Sequence, residues 1–388
     1  MSTTTPTFLR EPPAVRSQRL VFLDVLRVAV IVMVIVHHAA QAYGPTGGNW
    51  PVSDEANSPW FLPFYTVNAA IGMGLLFLLA GYFVPGAYDR KGRDRFLRQR
   101  WARIGLPLVV LAALVHAPLL YLVEQPAGPA EFVASMYDDG WVGIYLHLWF
   151  LGHLLLYSAV YVAWRSVADR RGRLHRRWPV PGGVAILAFV AGLTLATWIV
   201  RIWYPVDEWV PLLFVVAAEP AHLPQYVSLF VLGVIAYRGD WLHRIPTRIG
   251  TWWLGAGLAA AAGLYAVQGF APQQWVTLVT TGGLNAGSLL RSAWETVICI
   301  GLSVGLIVLT RERFRRPSRL LAALASASYA AYILHVWIVV AFQLGFLGAG
   351  LPAFAKFAIV AVLGTAASFG VAHLSRHVPG VRVLLGTR

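Results

Sequence analysis

Long apolar runs constrain the fold of this chain more than any other feature of its sequence. A helix needs about 20 predominantly apolar residues to cross the hydrocarbon core of a bilayer. Only 12% of the 388 residues are charged, whereas soluble domains carry about 25%. The sequence therefore predicts an all-α, polytopic membrane protein with about ten transmembrane helices. The predicted spans cover residues 20–42, 61–84, 104–123, 143–164, 182–204, 222–237 (the weakest), 251–270, 288–310, 322–345 and 352–375.

The distribution of basic residues predicts which loops face the cytoplasm. When the spans alternate from a cytoplasmic N-terminus, 27 of the 31 Lys and Arg residues fall in the cytoplasmic loops and tails. The loops on the opposite side hold none, an asymmetry typical of the positive-inside rule. We therefore expect both termini in the cytoplasm. The formal net charge of +14 then reflects topology and contact with the lipid bilayer rather than a nucleic acid partner.

The segments that flank the apolar runs are short and polar. Residues 1–19 contain three prolines and predict a disordered cytoplasmic tail. Residues 20–375 predict a single transmembrane domain, and residues 376–388 a second cytoplasmic tail. An alternative interprets the first apolar run as a signal peptide cleaved near residues 40–42, although two charged residues interrupt that run.

The first predicted span carries four ionisable side chains, although one unpaired charge at mid-bilayer costs roughly 2.5–3.5 kcal/mol. Each helical residue turns by about 100° and rises by about 1.5 Å, so Arg27 and His38 share one face at a separation of roughly 16 Å. Asp24 joins this polar stripe, whereas His37 is rotated by about 80° from Arg27. Intramembrane ionisable residues usually face a bundle interior or a wet cavity, which favours a functional role. The alternative is an ion pair of Asp24 with Arg27 at the inner border and histidines among the outer headgroups.

Two short motifs lie in the first span and in the basic loop after the second span. The first is LDVLR (residues 23–27), followed by ten residues and His38. The second is RWAR (residues 100–103), followed by an apolar run that contains proline. With the stretches FLLAGYFVPG, LHLWFLGHLLLYSAVY, LFVLGVIAYR and SYAAYILHVW, they resemble the acyltransferase-3 family of integral-membrane acyltransferases over roughly residues 20–375. The stretch VNAAIGMGLLFLLAGYFVPG resembles the branch of glucan-modifying envelope acyltransferases.

This resemblance implies that residues 20–375 form one transmembrane acyltransferase domain in the cytoplasmic (inner) membrane of a bacterium. The expected reaction moves an acyl group from cytoplasmic acyl-CoA to a hydroxyl of an extracytoplasmic or membrane-presented acceptor. Acetyl-CoA is the expected donor, because acetyl is the family's commonest donor group. The expected acceptor is a saccharide or a glycosylated secondary metabolite.

The resemblance also implies roles for the residues of both motifs. His38 is the expected catalytic residue, either as general base on the acceptor hydroxyl or through a transient acyl-histidine. Arg27, oriented by Asp24, is expected to guide the phosphopantetheine arm or the thioester. Arg100 and Arg103, together with Arg27, are expected to bind the donor, since guanidinium groups clamp phosphates. The alternative assigns both loop arginines to topology alone.

Other polar side chains within apolar runs are supporting candidates that either line a cavity or satisfy a neighbour. They are His37, Glu295, His335, Tyr332 and His147. His116 and His222 lie near outer borders and are expected to be wetted interface residues. No spacing of His, Asp or Glu predicts a metal site, and the lone Cys299 excludes a cysteine-based one.

Two other classes of protein fit parts of this pattern. A secondary transporter or flippase for a small solute or glycolipid would also have about ten spans and a polar first helix, although transporters often carry a two-fold repeat that is not apparent here. A structural membrane partner with a decayed site is a third class, which the intact set of Arg27, His38, Arg100 and Arg103 argues against. The sequence leaves the oligomeric state open.

Overall fold

The computed structural model describes most of the chain, and the predicted tail over residues 1–19 lies outside the described part. The described residues are 20–45, 50–124, 128–137, 140–170, 178–213, 216–270 and 282–385. The α-helices are α1 (Val21–Ala40), α2 (Phe61–Lys91), α3 (Arg93–Arg100), α4 (Leu106–Leu111), α5 (Ala117–Glu124), α6 (Pro129–Tyr137), α7 (Trp149–Arg170), α8 (Gly183–Arg201), α9 (Leu223–Gly239), α10 (Trp241–Arg244), α11 (Thr247–Phe270), α12 (Ala286–Arg313), α13 (Arg319–Gly345), α14 (Ala353–Ser375) and α15 (Pro379–Leu384). The last of these lies within the predicted tail over residues 376–388.

Nine helical segments in the described part are long and apolar enough to cross a membrane. They are Val21–Tyr43, Phe61–Lys91, Arg93–Tyr121, Ile144–Ala168, Gly183–Arg201, Thr247–Phe270, Ala286–Arg313, Arg319–Gly345 and Ala353–Ser375. The predicted all-α, polytopic membrane fold is therefore confirmed. The weakest predicted span, over residues 222–237, is the helix α9, which has only 17 residues.

The apolar piece before α9 forms a short antiparallel hairpin instead of a membrane helix. Strand β1 (Val210–Leu212) pairs with β2 (Val216–Ala218). A 3₁₀ turn over Pro220–His222 then leads into α9, which ends at Asp240 in a left-handed conformation with φ 54°. Because the hairpin and the turn directly precede α9, this helix cannot begin earlier in the chain.

The helices α2 and α9 approach closely because glycines line their contact. A Cβ atom on Gly81 would lie 2.1 Å from the carbonyl oxygen of Phe230, and one on Gly233 would lie 2.1 Å from that of Leu78. No side chain fits at such distances, so both positions require glycine. Close backbone approach through small residues is typical of membrane helix pairs.

The helix α1 packs inside the bundle, in contact with α2, α12, α13 and α14. This polar first span is therefore enclosed by other helices over much of its surface. The segment from Arg93 to Tyr121 follows α2 and contains two π-helical turns, Trp101–Gly105 and Ala112–His116. π-Helical turns are rare in proteins, and those that occur are often found at functional sites.

The basic loops gather at one end of the bundle, here called the basic end. Asp89 accepts hydrogen bonds from Arg165 and Arg238, each at 3.1 Å, and so joins three loops that were predicted on one side. At the other end of α1, the buried Lys356 ammonium lies 2.8–2.9 Å from both carboxylate oxygens of Asp54. The grouping of the loops fits the predicted alternation of spans. The assignment of the basic end to the cytoplasm stays a prediction.

Candidate active site

His38 lies in the last turn of α1, and its side chain is half-buried. Its Nδ1 atom is 3.0 Å from the carbonyl oxygen of Val34 and 2.9 Å from Nε2 of His335. A carbonyl oxygen only accepts hydrogen bonds, so Nδ1 of neutral His38 carries the ring proton. The remaining ring nitrogen, Nε2, then carries a lone pair.

The partner of His38 is the fully buried His335 on α13. Its own Nδ1 atom lies 2.6 Å from the carbonyl oxygen of Tyr332, which fixes the proton of His335 on Nδ1. Nε2 of His335 is therefore an acceptor, and the Nδ1 proton of His38 is shared between His335 and Val34. Within the described part of the chain, no hydrogen bond reaches Nε2 of His38. This arrangement leaves an oriented imidazole with a free basic nitrogen.

His147 and Tyr332 complete a cluster around this pair. The His147 ring lies 4.8 Å from His335 and 6.5 Å from His38 between ring centroids. Its Nε2 atom donates to the carbonyl oxygen of Ile333 at 3.0 Å, and the Tyr332 hydroxyl donates to the carbonyl oxygen of His147. Three of the supporting candidates thus meet at His38, although they lie far from it in sequence.

His37, the neighbour of His38, faces a different set of residues. Gln41 donates from Nε2 to Nε2 of His37 at 3.0 Å. The His37 ring lies 6.5 Å from the Phe64 ring, stacked, and 5.5 Å from the Tyr65 ring, edge-on. The two adjacent histidines therefore have different environments, and only His38 contacts His335.

Arg27 and Asp24 lie on α1 toward the basic end. Nη1 of Arg27 is 3.3 Å from Oδ1 of Asp24, and the guanidinium group lies 5.3 Å from the ring centroid of Phe83 near the end of α2. The Arg27 side chain remains 36% exposed. Eleven residues, roughly 16 Å of helix, separate Arg27 from His38.

Arg100 and Arg103 lie where α3 passes into the first π-helical turn. The Arg100 guanidinium lies 5.2 Å from the Phe96 ring centroid, and Arg103 is exposed. The Tyr329 hydroxyl donates to the carbonyl oxygen of Arg103. Because Tyr329 precedes His335 by six residues on α13, this helix extends from the arginine pair to the histidine cluster.

Glu295 belongs to a second buried cluster, formed by α8, α12 and the turn before α9. Its carboxylate accepts from Arg201 and from Nε of Arg291, the latter at 2.7 Å. These two arginines are two of the four cations that the predicted topology leaves inside spans. Among the described residues, the partners of Glu295 include none of the histidines around His38, and the cluster is an ion-pair network.

His222 adjoins this ion-pair network and is only 4% exposed. Its Nδ1 atom lies 2.8 Å from Oε2 of Glu219. Burial disfavours the charged imidazole, but the carboxylates of Glu219 and Glu295 outweigh it and raise the pKa of His222 to about 9. Buried charges need such pairing to be tolerated.

The prediction that His116 and His222 are wetted interface residues is wrong. His116 is fully buried, donates from Nδ1 to the carbonyl oxygen of Ile144 at 2.8 Å, and lies 5.6 Å from the His147 ring. Hydropathy places both residues near predicted borders, but His116 packs against His147 and Trp337. His222 packs against Glu219 and Tyr226. Their position along the chain gave no sign of this packing.

Sequence reasoning missed two residues that contact His38. The Trp50 ring stacks on His38 with centroids 5.1 Å apart, and its Nε1 atom donates to Oε1 of Gln343 at 2.8 Å. Nε2 of Gln343 donates to the carbonyl oxygens of His38 and Ala39 at 3.0 and 3.2 Å. A lone glutamine inside the apolar run of α13 was the available signal.

Among the residues that the structure describes, no group of three His, Cys, Asp or Glu side chains could hold a metal ion. The basic end presents the guanidinium groups of Arg100 and Arg103, a chemical group that binds phosphate well in general. The far end of α1 offers Nε2 of His38, which no described residue hydrogen-bonds.

Comparisons with known proteins identify the family of this chain. The family model of the acyltransferase domain matches residues 20–373. "Glucans biosynthesis protein C" of Escherichia coli (strain K12) is 25% identical over 241 residues, which cover 58% of this chain and 59% of the relative. The protein of the same name from Salmonella schwarzengrund (strain CVM19633) is 26% identical over 260 residues, covering 64% and 66%. The matched region is thus less than two thirds of either relative, and no solved structure matches.

The match to the family model extends from the first residues of α1 to the last turns of α14. It therefore includes both sequence motifs and every membrane-spanning segment described above. The predicted family resemblance is confirmed, and the chain belongs to the acyltransferase-3 family as a membrane-embedded acyltransferase.

Proposed function

We propose that this protein transfers an acyl group from cytoplasmic acyl-CoA to a hydroxyl of a saccharide on the opposite side of a bacterial cytoplasmic membrane. The observation that carries the proposal is the state of His38. Its Nδ1 proton is fixed by Val34 and His335, and its Nε2 atom has no hydrogen bond from the described residues. A general base requires such a free and oriented nitrogen within reach of the acceptor proton.

The proposed reaction balances at His38. Nε2 takes the proton of the acceptor hydroxyl while the hydroxyl oxygen attacks the thioester carbonyl carbon. When the tetrahedral intermediate collapses, the carbon–sulfur bond breaks and the thiolate of CoA takes the proton from the His38 imidazolium. The products are an ester and the free thiol. A transient acyl-histidine is the alternative route, in which Nε2 itself attacks the carbonyl carbon and the carbon–sulfur bond breaks to release the thiolate of CoA. The acceptor hydroxyl then attacks the acyl-imidazolium, its proton passes to the thiolate, and neutral His38 is regenerated.

The donor would bind between the basic end and His38. The Arg100 and Arg103 guanidinium groups suit the phosphates of CoA, since arginine forms paired hydrogen bonds with phosphate. Arg27, paired with Asp24 at 3.3 Å, lies on the same helix as His38 and nearer the basic end. The pantetheine arm is an extended chain that suits the separation of roughly 16 Å between Arg27 and His38. Acetyl-CoA is the proposed donor.

The name of the two relatives supports a saccharide acceptor, because it refers to the biosynthesis of glucans. The half-buried aromatic side chain of Trp50 beside His38 is compatible with such an acceptor. A glycosylated secondary metabolite presents the same hydroxyl chemistry. Glucan oligosaccharides are therefore the first acceptors to test.

The test uses purified protein in proteoliposomes with radiolabelled acetyl-CoA and a glucan acceptor. His38→Ala is expected to lower kcat by about 10²–10⁴-fold, the usual contribution of a general base. His37→Ala is the matched control, because His37 is adjacent but contacts Gln41 instead of His335. Equal activity of His38→Ala and the unchanged protein would rule out the assignment. An acylated His38 peptide after incubation with the donor alone would select the acyl-histidine route.

The same proteoliposomes separate an enzyme from a secondary transporter or flippase. An acyltransferase releases free CoA in step with acylated acceptor. Movement of the saccharide across the membrane without loss of the thioester would favour transport.

A further inference from the structure

Trp50 covers one side of the His38 imidazole from the loop between α1 and α2. The two rings are nearly parallel, at an interplanar angle of 20°, with centroids 5.1 Å apart. The other rings near His38 belong to histidines, namely His37, His147 and His335, and they meet it edge-on or tilted. Among the described neighbours of His38, Trp50 is thus the residue whose electron-rich ring face lies against the imidazole.

Gln343 fixes the position of this indole. It is fully buried on α13, and its amide oxygen accepts from Nε1 of Trp50 at 2.8 Å. Its amide nitrogen donates to the carbonyl oxygens of His38 and Ala39, at the end of α1. The last carbonyls of a helix lack partners within the helix, so Gln343 satisfies groups that would otherwise be unpaired. One side chain therefore holds both the backbone of His38 and the ring that stacks on it.

The charge that develops on His38 during catalysis has few stabilising partners. The titratable groups that face His38 are His37 on α1, His335 on α13 and His147 before α7, and a second proton on any of them would repel an imidazolium. None of the ion pairs in the described part of the chain includes His38. Tryptophan is the best aromatic partner for a cation within about 6 Å of its ring centroid.

We propose that Trp50 stabilises the His38 imidazolium formed during acyl transfer, and that Gln343 is the positioning residue that holds the indole in place. This inference rests on the proposed role of His38 as the group that takes the acceptor proton. The interaction is stronger with the cation than with the neutral ring, so it lowers the barrier rather than improving substrate binding.

Variants of Trp50 in the proteoliposome assay test the inference. Trp50→Leu removes the aromatic face and is expected to lower kcat roughly 2- to 30-fold, the usual range for a cation over an aromatic ring. Trp50→Phe keeps a weaker face and is expected to give an intermediate kcat. The KM for acetyl-CoA should stay unchanged in both. Trp60→Leu is the matched control, because Trp60 lies in the same loop, is 45% exposed and does not contact His38.

Gln343→Met tests the positioning role, because methionine has a similar length but no amide. It is expected to lower kcat, and its effect should be smaller in the Trp50→Phe background, where no indole N–H remains to be held. Equal effects of Gln343→Met in the two backgrounds would overturn the positioning role.

Two results would overturn the role of Trp50. One is an unchanged kcat in Trp50→Leu. The other is a raised KM for the glucan at unchanged kcat, which would make Trp50 a platform for the sugar. In both cases the proposed function is still supported if His38→Ala is inactive. Activity of His38→Ala, in contrast, removes the proposed function itself.

Discussion

His335 controls the proton of His38 because its own proton is held by a backbone carbonyl. Nε2 of His335, 2.9 Å from Nδ1 of His38, is left as an acceptor. We expect His335→Leu to lower kcat by roughly 10- to 100-fold, since a hydrogen bond to a charged group contributes about 1.5–3 kcal/mol. The KM for acetyl-CoA should not change, because none of the described contacts of His335 involves Arg100 or Arg103. Steady-state kinetics at varied donor concentration measure both quantities.

His153 provides the control for the loss of a buried histidine. It is also fully buried, donates from Nε2 to the carbonyl oxygen of Ala217 and accepts from the Tyr157 hydroxyl, each at 3.1 Å. His153→Gln should lower thermal stability while kcat per folded molecule is kept. If His335→Leu behaves in the same way, His335 has a structural role only.

Only part of the candidate site follows from the sequence. The helical period places Arg27 and His38 on one face because both belong to a single helix. The partners of His38 come from α13, about 300 residues later, and no periodicity relates such distant positions. The polarity of His335 inside an apolar run marked it as a candidate, whereas Trp50 looked like any other tryptophan of a membrane border.

At the level of elements, α8 and α12 are joined by a buried ion-pair network. Glu295 is 2% exposed and accepts from both Arg201 and Arg291. Glu295→Gln leaves two buried guanidinium groups without a carboxylate partner. We expect a loss of about 3–5 kcal/mol in the free energy of unfolding, the usual effect of removing one member of a buried pair. Thermal unfolding in detergent measures the change as a lower Tm.

The matched control for this variant is Glu312→Gln on the same helix. Glu312 accepts from Arg311 and Arg315 near the basic end, where the Arg315 side chain is 72% exposed. The Glu312 side chain is itself 32% exposed. Ion pairs in contact with solvent contribute little, so a much smaller shift in Tm is expected than for Glu295→Gln. If the Glu295→Gln variant is as stable as this control, other groups must compensate the charges of the two buried arginines.

The π-helical turn after α3 is the element that carries the proposed donor site. Arg100→Ala combined with Arg103→Ala should raise the KM for acetyl-CoA at least about 10-fold, because charge-assisted hydrogen bonds to the phosphates are lost. Arg95→Ala combined with Arg98→Ala removes the same charge from exposed positions on α3 and is the control. If the two double variants raise KM equally, the arginine pair contributes only general charge and topology.

On the scale of the whole molecule, the sequence predicts the helices far better than their contacts. Apolar length identifies the spans, because a bilayer crossing requires a minimum number of apolar residues. It is least decisive at α9, a helix of 17 residues, because composition does not show where the hairpin ends and the helix begins. The meeting of three loops at Asp89 depends on side-chain geometry that hydropathy does not contain.

The orientation of the whole bundle can be tested because the chain has one cysteine, Cys299, which is fully buried. In a Cys299→Ser background, Ser53→Cys lies in the exposed loop after α1 and Arg316→Cys in the exposed basic loop after α12. We expect a membrane-impermeant maleimide to label Ser53→Cys in intact spheroplasts, and Arg316→Cys only after permeabilisation, as the excess of basic residues requires. Unmutated Cys299 should stay unlabelled in both conditions. The reverse pattern would place Arg100 and Arg103 outside the cytoplasm, where acyl-CoA is absent, and the proposed direction of transfer would then be wrong.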